Sequence, residues 1–504
     1  MTDDPSEASA IEHRESRRPS REEAGASRTH RSVRARRIAS FYGLAALALS
    51  CTPGCSHRTG AVDHLPNEST LRYDLDVEPD RRRLRVRICS DGPLPARLVP
   101  GPGGEMRALV RARHRDAMGR LRPVSVASAA IVLSHPAAGG CLELHLDPGR
   151  AVSGNTAGID RAVVIPGGVW LWRPAAYVPT HASVRVPIRR GAEARLSVPW
   201  TDGHGEWHRL GPTAFLLPSR TVVGSHRHLE STTSGTRIRI ARLPGPMQAT
   251  DAEIVSWITD ATSCVARLAR RPVARHLLVV VAPVRGSRDP VAFGHVTRGG
   301  PSVLLLVDER AGAAALRRDW VAVHELVHLL LPPVRRDDAL LPEGIATYYQ
   351  ELLRARCGLI SAQEGRAALA QGFERGRRAA TGRTLGEESR DMYATGAFVR
   401  VYWAGAAIAA LADRELRSAA STADPTRRAH AGPSPRSACR SLDDAIAAIA
   451  PEASRVTRAW TAWELADALD RRCGRRVMRP LLERWWSSSE FPPVPEPSEI
   501  VSSE

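Results

Sequence analysis

From about residue 70 to 245, apolar and polar residues alternate along the chain. LRYDLDV, RLRVRICS, GCLELHLD, ASVRVPI, ARLSVPW and TRIRIARL each carry the two-residue period of a half-buried strand, and Pro, Gly and Asp separate them. The pattern predicts an antiparallel β domain, sandwich-like, over 70–245. The alternation itself carries no chemistry. His204, His208, His226 and His228 fall inside it without a ligand-like spacing, so surface or loop positions are expected for them.

The period changes near residue 250. Residues 251–271 place Ile254, Trp257, Ile258, Ala261, Val265 and Leu268 on one helical face. HLLVVVAPV at 276–284 and SVLLLV at 302–307 are short apolar runs that read as buried strands, the second after Gly294, Gly299 and Gly300. Helix, strand, strand and helix predict a mixed α/β unit over 250–358. The next helix spans about 313–331 and stops at Pro332 and Pro333. Another begins near Pro342. Ser361 with Glu364 forms a capping box that opens a third. A fourth covers about 393–417, and Ser441 with Asp444 starts a short one. These make a helical C-terminal part over 359–486, and a disordered tail is expected over 487–504.

Composition adds less than it first promises. The formal net charge of +17 invites an anionic partner, yet all 71 basic residues are arginine and no lysine occurs. With abundant alanine, that is the mark of a GC-rich coding sequence. The arginines are scattered and no aromatic-interleaved patch accompanies them, so nucleic acid is not expected as a partner. Residues 1–55 read as an N-terminal tail and export segment. Arg28, Arg31, Arg34, Arg36 and Arg37 precede an uncharged, largely apolar run at 38–50, and Cys51 follows it directly. The run has signal-peptide length and is too short to span a bilayer as a helix. It resembles a bacterial lipoprotein signal, which implies a cell-envelope protein with a lipid on Cys51. Cleavage after Ala46-Leu47-Ala48 would instead give a soluble exported protein.

Export permits disulfides. Cys89, Cys141, Cys264, Cys357, Cys439 and Cys473 lie beyond the signal and form no CxxC pair, which argues against a cysteine zinc site. Cys89 and Cys141 both fall in strand-like segments and are predicted to pair, with Cys439 and Cys473 a second candidate pair.

The chemistry centres on His324-Glu325-Leu326-Val327-His328. On a helix, residues i and i+4 share a face, so both imidazoles can meet one metal ion. Glu325 projects beside them, placed to take a proton from a water. At this chain's His and Glu frequencies, a chance HExxH is expected about three times in a hundred such chains. WVAV before the motif and LLLP after it fit a buried helix. A catalytic zinc usually takes three protein ligands, and Glu343, opening the next helix in PEGIATYYQELL, is the candidate third.

HELVH followed by PEGIATYYQELLRARCGLIS resembles the gluzincin peptidases, and among them the glycyl aminopeptidase family. MYATGAFVRVYWAGAAIAALADRELR at 392–417 and SLDDAIAAI at 441–449 continue the likeness. It covers roughly residues 290–450. The resemblance implies a multidomain fold: a β-sandwich-like domain, then a thermolysin-like α/β zinc peptidase domain and a helical C-terminal part. It implies one Zn2+ held by His324, His328 and Glu343, with Glu325 as general base, Tyr393 as donor to the oxyanion, and a peptide or protein as substrate. Three features depart from the family pattern. Thr395 stands where lysine is usual, and the interval from His328 to Glu343 is short. The stretch AFGHVTRGGPSVLLL contains no acid to hold a substrate amine. The cut is therefore left open between aminopeptidase and endopeptidase. The alternative is an exported lipoprotein that keeps the fold as an inactive binding or scaffold module.

Overall fold

The computed structural model describes residues 70–77, 83–151, 162–186, 194–200, 205–421 and 439–500. The export segment and Cys51 lie outside the described residues. Among those residues, no helix is long and apolar enough to cross a membrane. The architecture is mixed α/β and multidomain.

The β-rich region holds two sheets. The larger runs His208–Leu210, Ala182–Arg185, Leu71–Val77, Leu84–Ser90, Gly140–Leu146, Leu109–Arg115, Leu121–Arg122. Its neighbours pair antiparallel, except that Leu71–Val77 and Ala182–Arg185 run parallel. The smaller runs Arg173–Pro174, Arg97–Val99, Ile131–Leu133, Val124–Val126. Alternate residues of both, including Tyr73, Ile88, Leu144, Leu98 and Ile131, close one apolar core around Trp170, Trp172 and Phe215. Cys89 lies directly opposite Cys141 in register, and the two are disulfide-bonded as predicted.

A third sheet joins this region to the helices. It comprises β1 (Arg220–Thr233), β2 (Thr236–Arg242), β3 (His276–Val284), β4 (Val291–Thr297) and β5 (Ser302–Asp308), in the order β1-β2-β3-β5-β4, with Ala194–Ser197 and Ala162–Pro166 also paired to β1. The first residues of β1 pair with Ala162–Pro166, and its later ones pair with β2. The sheet therefore takes strands from both sides of residue 250, near which the hydrophobic period changes. Alternation marks a strand but does not say which sheet it joins. β2, β3 and β5 are parallel to one another, and β4 is an antiparallel edge strand. His226 corrects the expectation of a surface histidine: it is buried in β1, with Nδ1 2.8 Å from the Gly224 carbonyl and Nε2 2.8 Å from Ser197 Oγ. His208 and His228 are half-buried, and His204 lies outside the described residues.

The helices pack over one face of this sheet. α1 (Asp251–Ala269) opens with a capping box from Thr250 and Glu253 and buries all six residues of its predicted face. The single helix expected over 313–331 is broken. A short helix, Ala313–Arg318, ends before Asp319, whose Oδ1 accepts the Val321 N–H at 2.7 Å, and α2 (Val321–His328) starts there. α3 (Leu340–Arg356) carries Pro342 in its first turn, and α4 (Ala362–Arg378) starts at the Ser361–Glu364 capping box. The helix expected over 393–417 is also two: α5 (Leu385–Thr395) ends at Gly396, whose φ of +76° stops it, and α6 (Phe398–Ser421) follows. α3 and α6 cross in close contact, since a Cβ on Gly405 would lie 2.0 Å from the Leu340 carbonyl oxygen.

α7 (Leu442–Ala453), α8 (Ala462–Cys473) and α9 (Met478–Trp486) complete the core. Residues 487–500 do not form the expected disordered tail. Buried Arg400 donates to the Ser489 carbonyl at 2.7 Å, the Leu385 N–H donates to the Ser488 carbonyl at 2.8 Å, and Phe491 lies against Arg377 and Arg400. A buried guanidinium needs acceptors, and this segment supplies one. Residues 501–504 lie outside the described residues. Cys439 is bonded to Cys473, and a third disulfide, Cys264–Cys357, ties α1 to the residue after α3.

Candidate active site

α2 and α3 face one another across the site. α2 is buried along its whole length, which fixes both histidines in place. The turn after it is short enough that α3 returns with Glu343 in its first turn. His324 Nε2 lies 3.2 Å from Glu343 Oε2, His328 Nε2 lies 3.3 Å from the same oxygen, and the two Nε2 atoms are 3.2 Å apart. The three predicted ligands therefore meet in one cluster, with donor atoms all within 4.8 Å of one another.

The hydrogen bonds behind His324 set its tautomer. Gln350 Nε2 donates to Glu351 Oε1 at 3.0 Å, which turns Gln350 Oε1 toward His324 Nδ1 at 2.8 Å. An amide oxygen only accepts, so Nδ1 carries the proton and Nε2 presents its lone pair. Arg354 pairs with Glu351 and fixes that carboxylate in turn. Two imidazole nitrogens and a carboxylate oxygen thus crowd into one small volume, which a proton or a cation shared between them would stabilise. The set of two imidazoles and one carboxylate suits zinc. The residues fit the metal that the resemblance implies.

Burial would raise the Glu343 carboxyl, but His328 and His324 outweigh it and hold it well below the usual carboxylate range. Burial raises Glu325 above the ordinary glutamate value, against the partial opposition of the two histidines. Glu325 lies against the edge strand β4. A Cβ on Gly294 would fall 2.4 Å from a Val321 methyl and 2.9 Å from Glu325 Oε1, so the strand needs glycine at that point.

Aromatic rings cover the other side. Tyr402 of α6 stacks on His324 with centroids 5.6 Å apart, and Trp320 meets the same ring edge-on at 5.4 Å. Tyr393 joins the cluster through other rings: it meets Phe398 edge-on, and Phe398 meets Tyr402 edge-on. The Arg336 guanidinium lies 3.5 Å from the Tyr393 ring centroid.

Two cationic side chains, Arg298 and Arg220, and the neutral His295 near the cluster escaped the sequence reading. Arg298 donates to the His328 carbonyl at 2.6 Å, and Arg220 bonds to His295 Nδ1 and to the His295 carbonyl. Burial lowers both guanidinium groups to about 10, opposed by Glu325. Burial, with Arg220 and Arg298 beside it, drives His295 well below the ordinary histidine value. Gln350 was legible in principle, because it stands seven residues after Glu343 and shares its helix face. Arg220 was not, since it comes from the distant start of β1.

No family model matches the sequence, and no curated protein does. Similarity to solved structures does appear. The chain is similar to an aminopeptidase N family protein from Idiomarina loihiensis, with a TM-score of 0.54 and 12% identity, over 79% of this chain and 73% of that one. Aminopeptidase A of Legionella pneumophila, solved with aspartic acid, matches with a TM-score of 0.47 and 14% identity, over 84% of this chain and 49% of that one. The chain thus shares its overall fold with an aminopeptidase N family protein.

Proposed function

We propose that the chain is a zinc-dependent peptidase, with His324, His328 and Glu343 as the ligands. The observation that carries this reading is the convergence of two imidazole nitrogens and one carboxylate oxygen, with the buried carboxyl of Glu325 beside them. An ion held there supplies Lewis acidity, acidifying a water and polarising the scissile carbonyl. The chain's own groups do the rest. Glu325, whose proton affinity burial has raised, takes a proton from the attacking water and passes it to the leaving amine. Tyr393 donates a hydrogen bond to the oxygen on which negative charge develops. Its support is its place in the YATG segment and a chain of ring contacts, edge-on to Phe398 and on to Tyr402, which stacks on His324. Gln350 keeps the His324 ring oriented through Nδ1. β4, as an edge strand, offers backbone groups with which an extended peptide can pair.

Glu325→Gln tests the assignment. It keeps the volume of the side chain and removes the base. Turnover of a peptide library is expected to fall by about 10²- to 10⁴-fold, with zinc content unchanged. Undiminished turnover in a zinc-loaded variant would remove Glu325 from its role.

A further inference from the structure

The segment facing Glu325, VAFGHVTRGGP at 291–301, contains a histidine and an arginine and no acid. Arg298 spends one nitrogen on the His328 carbonyl, and Arg220 spends one on His295. The Nε of each is buried and has no hydrogen-bond partner among the described residues. Neither guanidinium is in an ion pair among those residues. The carboxylates within electrostatic reach are Glu343, drawn to the two histidines, and Glu325, the proposed base. Two half-buried positive charges thus stand beside the reacting groups with their forks incompletely used. Burying charge is expensive unless something of opposite sign meets it.

The surroundings hold this pair rigid. The turn after β4 is fastened to the β-rich region, with the Gly299 N–H on the Pro218 carbonyl at 2.8 Å and Trp200 Nε1 on the Gly299 carbonyl at 3.2 Å. Arg220 follows Pro218 by two residues, so the same contact sets both arginines. His295, kept neutral, accepts from Arg220 at Nδ1 and does not compete for an anion.

We infer that Arg220 and Arg298 form a carboxylate-binding subsite, so that the preferred substrates are peptides with a carboxylate near the scissile bond. Guanidinium groups suit this because their planar fork matches a carboxylate in a bidentate pair. The group is either the C-terminal carboxylate or an acidic side chain. The inference rests on the peptidase reading and supplies its substrate class. It replaces an anchor for a substrate's positive amine by one for a negative charge.

The test uses the zinc-loaded full-length protein and N-acetylated peptides in matched pairs. One set has a free or an amidated C-terminus, and the other has Glu or Gln scanned through each position. Wild type is expected to favour the carboxylate member of one set by on the order of 10- to 100-fold in kcat/KM, mostly through KM. The set that shows it identifies the source of the carboxylate. Arg220→Met should lose most of that ratio. Arg298→Gln gives the same reading should the first variant fail to fold, as judged by circular dichroism and zinc content. Turnover with no preference in either set overturns the subsite and leaves the peptidase reading standing. Turnover of no peptide overturns the peptidase reading instead. Calorimetric titration with glutarate then decides the subsite alone: saturable binding that is lost in Arg220→Met upholds it, and no binding overturns it.

Discussion

Two buried histidines, one in each half of the molecule, differ in what their ring nitrogens meet. His226 lies in β1 and His324 in α2, and both are about 2% exposed. His226 meets ordinary partners at both nitrogens, a carbonyl and a hydroxyl, each 2.8 Å away. Donor and acceptor match, and the ring is at rest. His324 is matched at Nδ1 only; its Nε2 faces a second imidazole nitrogen and a carboxylate oxygen. Burial alone does not mark a site. A lone pair turned toward other lone pairs does.

The largest expected effect breaks this comparison directly. His324→Ala should empty the site of zinc and abolish turnover. His226→Ala should leave metal content and turnover in place. It should cost about 1–3 kcal/mol of stability, because a buried carbonyl and a buried hydroxyl lose their partner. Metal analysis and denaturant unfolding of both variants check the pair. Zinc loss in His226→Ala would erase the distinction.

The next effect separates two tyrosines. Tyr393→Phe is expected to lower kcat by about 10²- to 10³-fold, the usual cost of one oxyanion donor. Tyr402→Phe keeps the ring that stacks on His324 and should change kcat little. Reversal of the two results would move the oxyanion role to Tyr402, the tyrosine whose ring touches a ligand.

A smaller effect tests the support behind the ligand. Gln350→Leu removes the acceptor that fixes His324 Nδ1. Zinc affinity is expected to fall by about 10- to 100-fold, as read by competition with a chelator. Affinity equal to wild type would mean that helix packing alone orients the ring.

These residues also show where the sequence was legible. HELVH and Glu343 could be read because helical periodicity turns spacing into geometry, and the structure brings those side chains together. Six strands between Leu71 and Arg242 were legible as strands, because alternation is a local signal, while Arg220–Thr233 was not among them. Sheet membership was not legible, since β2 was read as part of the β-rich region yet pairs onward with β3 in the helical half. Arg220 and His295 lie 75 residues apart, and nothing local in either announces the other. The broken helices at Asp319 and Gly396 were missed for a simpler reason. Apolar periodicity continues through both points, and a single capping side chain or one left-handed glycine decides the break.

Asp319 supplies the smallest effect on turnover, and one confined to stability. It lies just ahead of the reactive helix, 6% exposed, and burial raises its carboxyl to about 7, against the Val321 N–H and Arg354, which favour the charged form. The folded state therefore binds this proton more tightly than the unfolded chain, whose value is near 3.9. The sign follows from linkage: the contribution is fully present below pH 4 and is lost as pH rises through 7. Asp319→Asn keeps an oxygen for the Val321 N–H and cannot ionise. Its melting temperature should gain on wild type steadily between pH 4 and 7, with the difference constant above that range. A difference that stays flat from pH 4 to 8 would show that Asp319 is ionised in the folded protein. The broken helix would then start from a fully charged cap, and the N-terminal end of α2 would carry a negative charge five residues from His324.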